Sequence, residues 1–292
     1  MDNFADRLLE AIDAKGSPVC VGLDPVWDRL PESLRDGSSD DKVKAVEVFC
    51  NVVLEAAAQS VPAVKIQSAY FEVFRSGGTE LYFRMVKKAR QLGLIVIGDV
   101  KRNDIGSTAA AYARAHLAGD APDAVTVNGY LGSDGIDPFC EVASEEGKGL
   151  FVLVRTSNAS APQLQDFSSA EGKPLYQQTA ALVADLGDAL VGQSGYSSVG
   201  AVVGATYPDE ARVLRKIMPK QIFLVPGYGA QGATAADCAA SFDSDGRGAI
   251  VNASRSVIYA FGKDEYAGME WAEAVATAAK RFAADVRQAV MP

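Results

Sequence analysis

The chain reads as an α/β protein of the (β/α)8 barrel class, and three observations predict it. Eight short, apolar, β-branched stretches recur along the sequence, each followed by a stretch with helical spacing. None of the eight alternates cleanly between apolar and polar, which is the pattern of parallel strands covered by helices. No Pro/Gly/Ser linker, shift in composition or sequence repeat divides the 292 residues, so a single barrel domain over 1–292 is expected. A doubly wound open sheet is the alternative fold, weakened by the lack of a Gly-x-Gly-x-x-Gly run after the first strand.

A first helix is expected from Asn3 to about Lys15, where Phe4, Leu8, Leu9 and Ile12 share one face and Gly16-Ser17-Pro18 stops it. Val19–Leu23 follows as a buried strand ending at Asp24-Pro25. A helix over roughly Asp40–Ser60 feeds the strand Ala63–Gln67, and a helix over Gly77–Leu92 feeds Ile95–Val100. Next come a helix over Thr108–Leu117, the strand Ala124–Asn128, a helix from Asp134 to Glu145 and the strand Leu150–Val154. Residues 155–173, rich in Ser, Ala and Gln, read as an irregular insert with at most short helical turns. The pattern resumes with a helix over Pro174–Leu190, the strand Ser198–Gly204, a helix over Tyr207–Met218 and the strand Gln221–Val225. The loop Pro226–Gly232, a helix near Thr234–Ser241, the strand Ala249–Asn252 and helices from Arg255 onward complete the chain.

Composition narrows the function classes. Hydrophobic residues are 48% and charged residues 22%, an ordinary globular balance, while a net charge of -9 argues against nucleic-acid or anionic-membrane partners. A basic pocket for an anionic small molecule remains open. Cys20, Cys50, Cys140 and Cys238 have no metal-type or disulfide-type spacing. No apolar run approaches membrane-spanning length and the first residues form an acidic amphipathic helix, so a cytoplasmic location is expected. The single histidine, His116, nearly excludes Ser-His-Asp chemistry and His-rich metal sites and reads as a surface or packing residue.

Barrel active sites lie at the C-terminal ends of the strands. Placed there are Asp24, Lys65, the Asp99-Val100-Lys101 pair with Asp104 just beyond, Arg155-Thr156-Ser157-Asn158, the Pro226–Gly232 loop, and Ser254-Arg255. Asp99 and Lys101 are two apart on a strand and so share a face, which is costly in a core and reasonable at the mouth of a site. Each feature has a plainer alternative: Asp24-Pro25 a turn, Asp104 an N-cap with Lys101 solvated, Ser157 a capping serine, the glycine loop a connection. Lys65 inside an apolar strand is harder to dismiss, because lysine is seldom buried without a partner. Arg255 near a helix start opposes the helix dipole unless an anion sits between them, and an arginine, a glycine loop and helix N–H groups together make a phosphate site.

These residues resemble the orotidine 5′-monophosphate decarboxylase family. Asp99-Val100-Lys101-Arg102-Asn103-Asp104 matches its Asp-x-Lys-x-x-Asp signature, an element shared with sugar-phosphate decarboxylases and synthases of the same barrel superfamily. Thr156-Ser157-Asn158, Pro226-Gly227-Tyr228-Gly229-Ala230-Gln231-Gly232 and Asn252-Ala253-Ser254-Arg255 make the match specific, and the length and insert look like the longer bacterial subgroup.

The resemblance implies a cofactor-free, metal-free decarboxylation of orotidine 5′-monophosphate in a homodimer with shared sites. It gives Asp24 and Lys65 to the ribose hydroxyls, Asp99 to the substrate carboxylate and Lys101 to protonation of C6. Asp104, Ile105 and Thr108 would reach into the partner's site, and Ser157 and Gln231 would read the pyrimidine and phosphate ends. Pro226, Gly229, Ser254 and Arg255 would surround the phosphate. Ala159 and Gly129 stand where the family usually has proline, which changes loop stiffness. The competing enzyme reading is a Mg²⁺-dependent sugar-phosphate decarboxylase or aldolase with Asp99 as a metal ligand.

Overall fold

The computed structural model describes residues 2–36 and 41–290. Eight parallel strands close on themselves in sequence order: β1 (Val19–Leu23), β2 (Ala63–Gln67), β3 (Ile95–Arg102), β4 (Ala124–Val127), β5 (Gly149–Arg155), β6 (Ser197–Val203), β7 (Gln221–Pro226) and β8 (Ala249–Ala253). β8 returns to β1 with Val251 opposite Val19, so no open edge remains. The barrel rather than the open sheet is the fold.

Strand parity divides the core in two. Cys20, Ala63, Ile97, Ala124, Phe151, Val202, Ile222, Leu224 and Ile250 form an interior cluster. Their strand neighbours, such as Val21, Val64, Val96, Val125, Val152, Phe223 and Val251, face the surrounding helices. The N-terminal helix Phe4–Lys15 caps the lower end, pressing Phe4, Ala5, Leu8, Leu9 and Ile12 into the interior cluster. Phe4 meets Phe151 edge to face at 5.9 Å. Asn3 caps that helix by accepting from the Ala5 N–H at 2.8 Å, and Gly16 ends it in the left-handed region. At the other end of the chain, Val275, Ala279, Phe282, Val286 and Val290 stripe the buried side of helix Trp271–Val290 at helical spacing.

Most element boundaries fall within two residues of the sequence expectation. The helix expected from Asp40 is seen as Lys42–Ala58 capped by Asp41, and Asp40 itself lies outside the described residues. The helix expected from Thr108 begins at Gly106, with Ile105 at the N-cap position. Asp104 is therefore not the N-cap; its carboxylate accepts from the adjacent Ile105 N–H at 2.8 Å. The helix expected over Pro174–Leu190 is α-helical only to Gly187 and tightens to a 3₁₀ turn over Asp188–Leu190. Short helices at Glu32–Arg35 and Ala69–Glu72 add to the expected elements, being too brief to show a period in the sequence. Among the described residues, no helix is long and apolar enough to cross a membrane.

Candidate active site

Continuing the inward parity of β2 and β3 past the apolar layer places Lys65 and Gln67 beside Asp99, with Gln67 and Asp99 paired in register. Both Asp99 oxygens are fully engaged. Oδ2 accepts from Lys65 Nζ at 2.6 Å and Gln67 Nε2 at 2.9 Å, while Oδ1 accepts from Lys101 Nζ at 2.5 Å and Thr126 Oγ1 at 2.9 Å. Thr126 Oγ1 in turn accepts from the Lys101 N–H at 3.0 Å. Lys101 has φ +45°, a left-handed conformation that costs a side-chain-bearing residue about 1 kcal/mol. That turn curls its ammonium back over Asp99.

Electrostatics hold this cluster in its charged form. Burial alone would push the Asp99 carboxyl up, but the Lys65 and Lys101 ammonium groups outweigh it and hold it well below the usual carboxylate range. Burial likewise disfavours a charged Lys65, and Asp99 and Asp24 reverse that, leaving Lys65 protonated far above ordinary pH. Two ammonium groups thus share one buried carboxylate, with Asp24 as a second carboxylate in the same cavity.

The same strand ends line a cavity of about 460 Å³. Its walls include Asp24, Lys65, Asp99, Lys101, Ser157, Pro226, Gln231, Ser254 and Arg255, so nine of the sequence-predicted site residues come together. Gly229 lies just outside, where a neighbouring hollow is bordered by Arg29, Arg255 and Lys263. Asp104, Ile105 and Thr108 do not reach this cavity; Ile105 and Thr108 are exposed. Gln67, Tyr70, Thr126, Leu153, Val202 and Leu224 line the cavity too and have no place in the sequence expectation, while Asn158, Tyr228 and Asn252, present there only as members of motifs, also line it. Parity could have found Gln67, two residues beyond Lys65, and Asn252, two beyond Ile250. Tyr70 sits on a short helix that gave no signal.

The insert after β5 is more tightly tied than its composition suggested. Arg155 is fully buried, stacked at 3.9 Å over the Tyr207 ring and paired with Asp166 at 2.7 Å and Glu210 at 3.3 Å. Gln165 bridges Thr156, accepting from its N–H at 3.0 Å and donating to its hydroxyl at 2.7 Å. Gly204 N–H donates to the Arg155 carbonyl, and a Cβ on Gly204 would come within 2.9 Å of Ser157 Cα. Only glycine lets β6 pass this close, which fixes Ser157 at the rim. Between Ser157 and Arg255 the cavity offers hydroxyl, amide and guanidinium groups toward its outer end, with the charged cluster at its floor.

A family model described as orotidine 5′-phosphate decarboxylase / HUMPS matches residues 17–268. The sequence is 45% identical over 293 aligned residues to an orotidine 5′-phosphate decarboxylase of Rhodopirellula baltica, covering 95% of this chain and 97% of that one. It is 40% identical to the protein of the same name in Caldicellulosiruptor bescii, covering 89% of this chain and 91% of that one. The fold superposes on the solved Leishmania donovani OMP decarboxylase with a TM-score of 0.79 at 29% identity, covering 99% of both chains.

Proposed function

Since this chain belongs to the orotidine 5′-phosphate decarboxylase / HUMPS family, we propose that it is a carboxy-lyase converting orotidine 5′-monophosphate to uridine 5′-monophosphate and carbon dioxide. The observation that carries the reading is the fourfold-bonded Asp99 with Lys101 at its open side, at the floor of a cavity whose far end presents Gln231 and Arg255.

In this reading the bond from C6 to the carboxylate carbon breaks, carbon dioxide leaves neutral, and the electron pair stays on C6. Lys101 Nζ stabilises that pair and passes it a proton, and water afterwards restores the ammonium. Asp99 holds Lys101 in place before reaction, so little reorganisation is needed as charge develops. Its own charge faces the departing carboxylate, and Lys65 balances it from below. Arg255, Ser254 and Gln231 would grip the phosphate, Pro226 and Gly229 would shape the loop around it, Ser157 would read the pyrimidine, and Asp24 with Lys65 the ribose. Binding energy gathered at the phosphate, away from C6, can then assemble the reacting end.

Asp104, Ile105 and Thr108 stand outside their own cavity, which supports their serving a second subunit in a homodimer. The reaction is assigned to pyrimidine nucleotide synthesis in the cytoplasm and uses no cofactor. Against the Mg²⁺-dependent sugar-phosphate reading, both Asp99 oxygens are already saturated by two ammonium groups, an amide and a hydroxyl. The test is an ultraviolet assay of orotidine 5′-monophosphate with EDTA present. Turnover that persists supports the proposal; turnover that disappears and returns with Mg²⁺ replaces it with the sugar-phosphate reading.

A further inference from the structure

The loop after β7 carries Gln231 on an exposed, glycine-rich turn. Gly227, Gly229 and Gly232 all have positive φ, at +117°, +69° and +92°, and Gly229, Ala230, Gln231 and Gly232 are exposed. One side chain in this stretch is anchored. The Tyr228 ring packs on Phe282 with centroids 4.7 Å apart, and its hydroxyl donates to Asp285 Oδ2 at 2.5 Å. Phe282 and Asp285 belong to the C-terminal helix, which contributes nothing to the cavity wall. Burial and the Asp285 carboxylate both push the Tyr228 phenol up, so it remains a hydrogen-bond donor throughout the neutral range.

We propose that Asp285, from a helix outside the cavity wall, latches Tyr228 and so positions the phosphate-gripping loop. The proposal rests on the decarboxylase reading for its ligand and on geometry alone for the latch. With Tyr228 seated, the glycines on either side can present Gln231 and the loop amides in one arrangement. Without it, the loop spends part of its time elsewhere, and phosphate binding must first recover the seated state. A ligand lacking the phosphate gains nothing from that state. Chemistry at C6, once the loop has closed on bound substrate, is untouched.

The test compares Tyr228→Phe, Asp285→Ala, Asp285→Asn and the Tyr228→Phe/Asp285→Ala pair. A charge-assisted hydrogen bond in a half-exposed setting should be worth about tenfold in binding. Tyr228→Phe and Asp285→Ala are each expected to raise KM for orotidine 5′-monophosphate and Kd for uridine 5′-monophosphate by about that factor. They should leave kcat within about twofold and leave the affinity for uridine, which has no phosphate, unchanged. The double variant should be no worse than either single one, and Asp285→Asn, still an acceptor but uncharged, should fall between the parent and Asp285→Ala. Hydrogen exchange at the 227–232 amides should quicken in the first two variants whether or not substrate is turned over. A fall in kcat at constant KM, parallel losses for uridine, or unchanged exchange would overturn the latch. Faster exchange in a protein that does not decarboxylate orotidine 5′-monophosphate would leave the latch standing and remove the functional reading.

Discussion

Lys101 Nζ lies 2.5 Å from Asp99 Oδ1 although the two residues are only two apart on one strand. In a regular strand their side chains would stand side by side, pointing into the barrel. The positive φ at Lys101 folds the ammonium back toward the carboxylate instead. Replacing Lys101 by Ala should therefore remove both the charge and the proton donor. Turnover is expected to fall by at least about a thousandfold, with circular dichroism and urea midpoint close to the parent. A variant retaining a tenth of the parent rate would show that Lys101 is not the proton donor.

Among the described residues, Asp99 is the carboxylate in contact with buried Lys65, with side chains 7% and 8% exposed. Asp99→Ala should leave that ammonium stranded and cost about 3 kcal/mol or more of stability. Urea unfolding measures it. A midpoint that does not move would mean that water or a neighbouring group takes over as partner.

His116 is the single histidine, which makes its titration directly observable. Burial, with the Arg102 guanidinium adding to it, lowers its pKa to about 4, and its Nε2 accepts from Arg102 Nε at 3.2 Å. A histidine whose folded value is depressed contributes stability that is complete above its ordinary value near 6.5. That contribution drains away as pH falls from 6.5 through 4. The one imidazole resonance in a proton NMR titration should show a midpoint near 4, and His116→Gln should flatten the stability profile across that window. A midpoint near 6.5 would contradict both.

Asp104 gives the sharpest test of subunit sharing. Lys101→Ala and Asp104→Ala proteins, each inactive alone, should regain about a quarter of parental activity after equal mixing and re-pairing, because one native site forms in each hybrid dimer. No recovery would place Asp104 in a role confined to its own chain.

The sequence announced the barrel through β-branched runs at regular intervals, because strands buried on both faces have no other composition available. It announced Lys65, Asp99, Lys101 and Arg255 because charge at the end of an apolar strand is costly without a purpose. Gln67, Thr126 and Asn252 were quieter, since an amide or hydroxyl in a strand raises no comparable alarm. The ordering of residues 155–173 was hidden for another reason. It rests on Arg155 meeting Tyr207 and Glu210, residues more than fifty positions away in the chain, and no local pattern encodes such a meeting.

The N-terminal helix has a consequence for traffic. By wedging Phe4 and Leu8 into the bottom of the barrel it makes the interior a blind alley. Under the proposed function, nucleotide and gas then share the doorway at the strand ends, beside the glycine loop. Under the proposed chemistry, carbon dioxide formed at the floor has to slip past the nucleotide still held above it, or wait behind it. A helix at the opposite end of the molecule from the reaction thus confines both products to the same side.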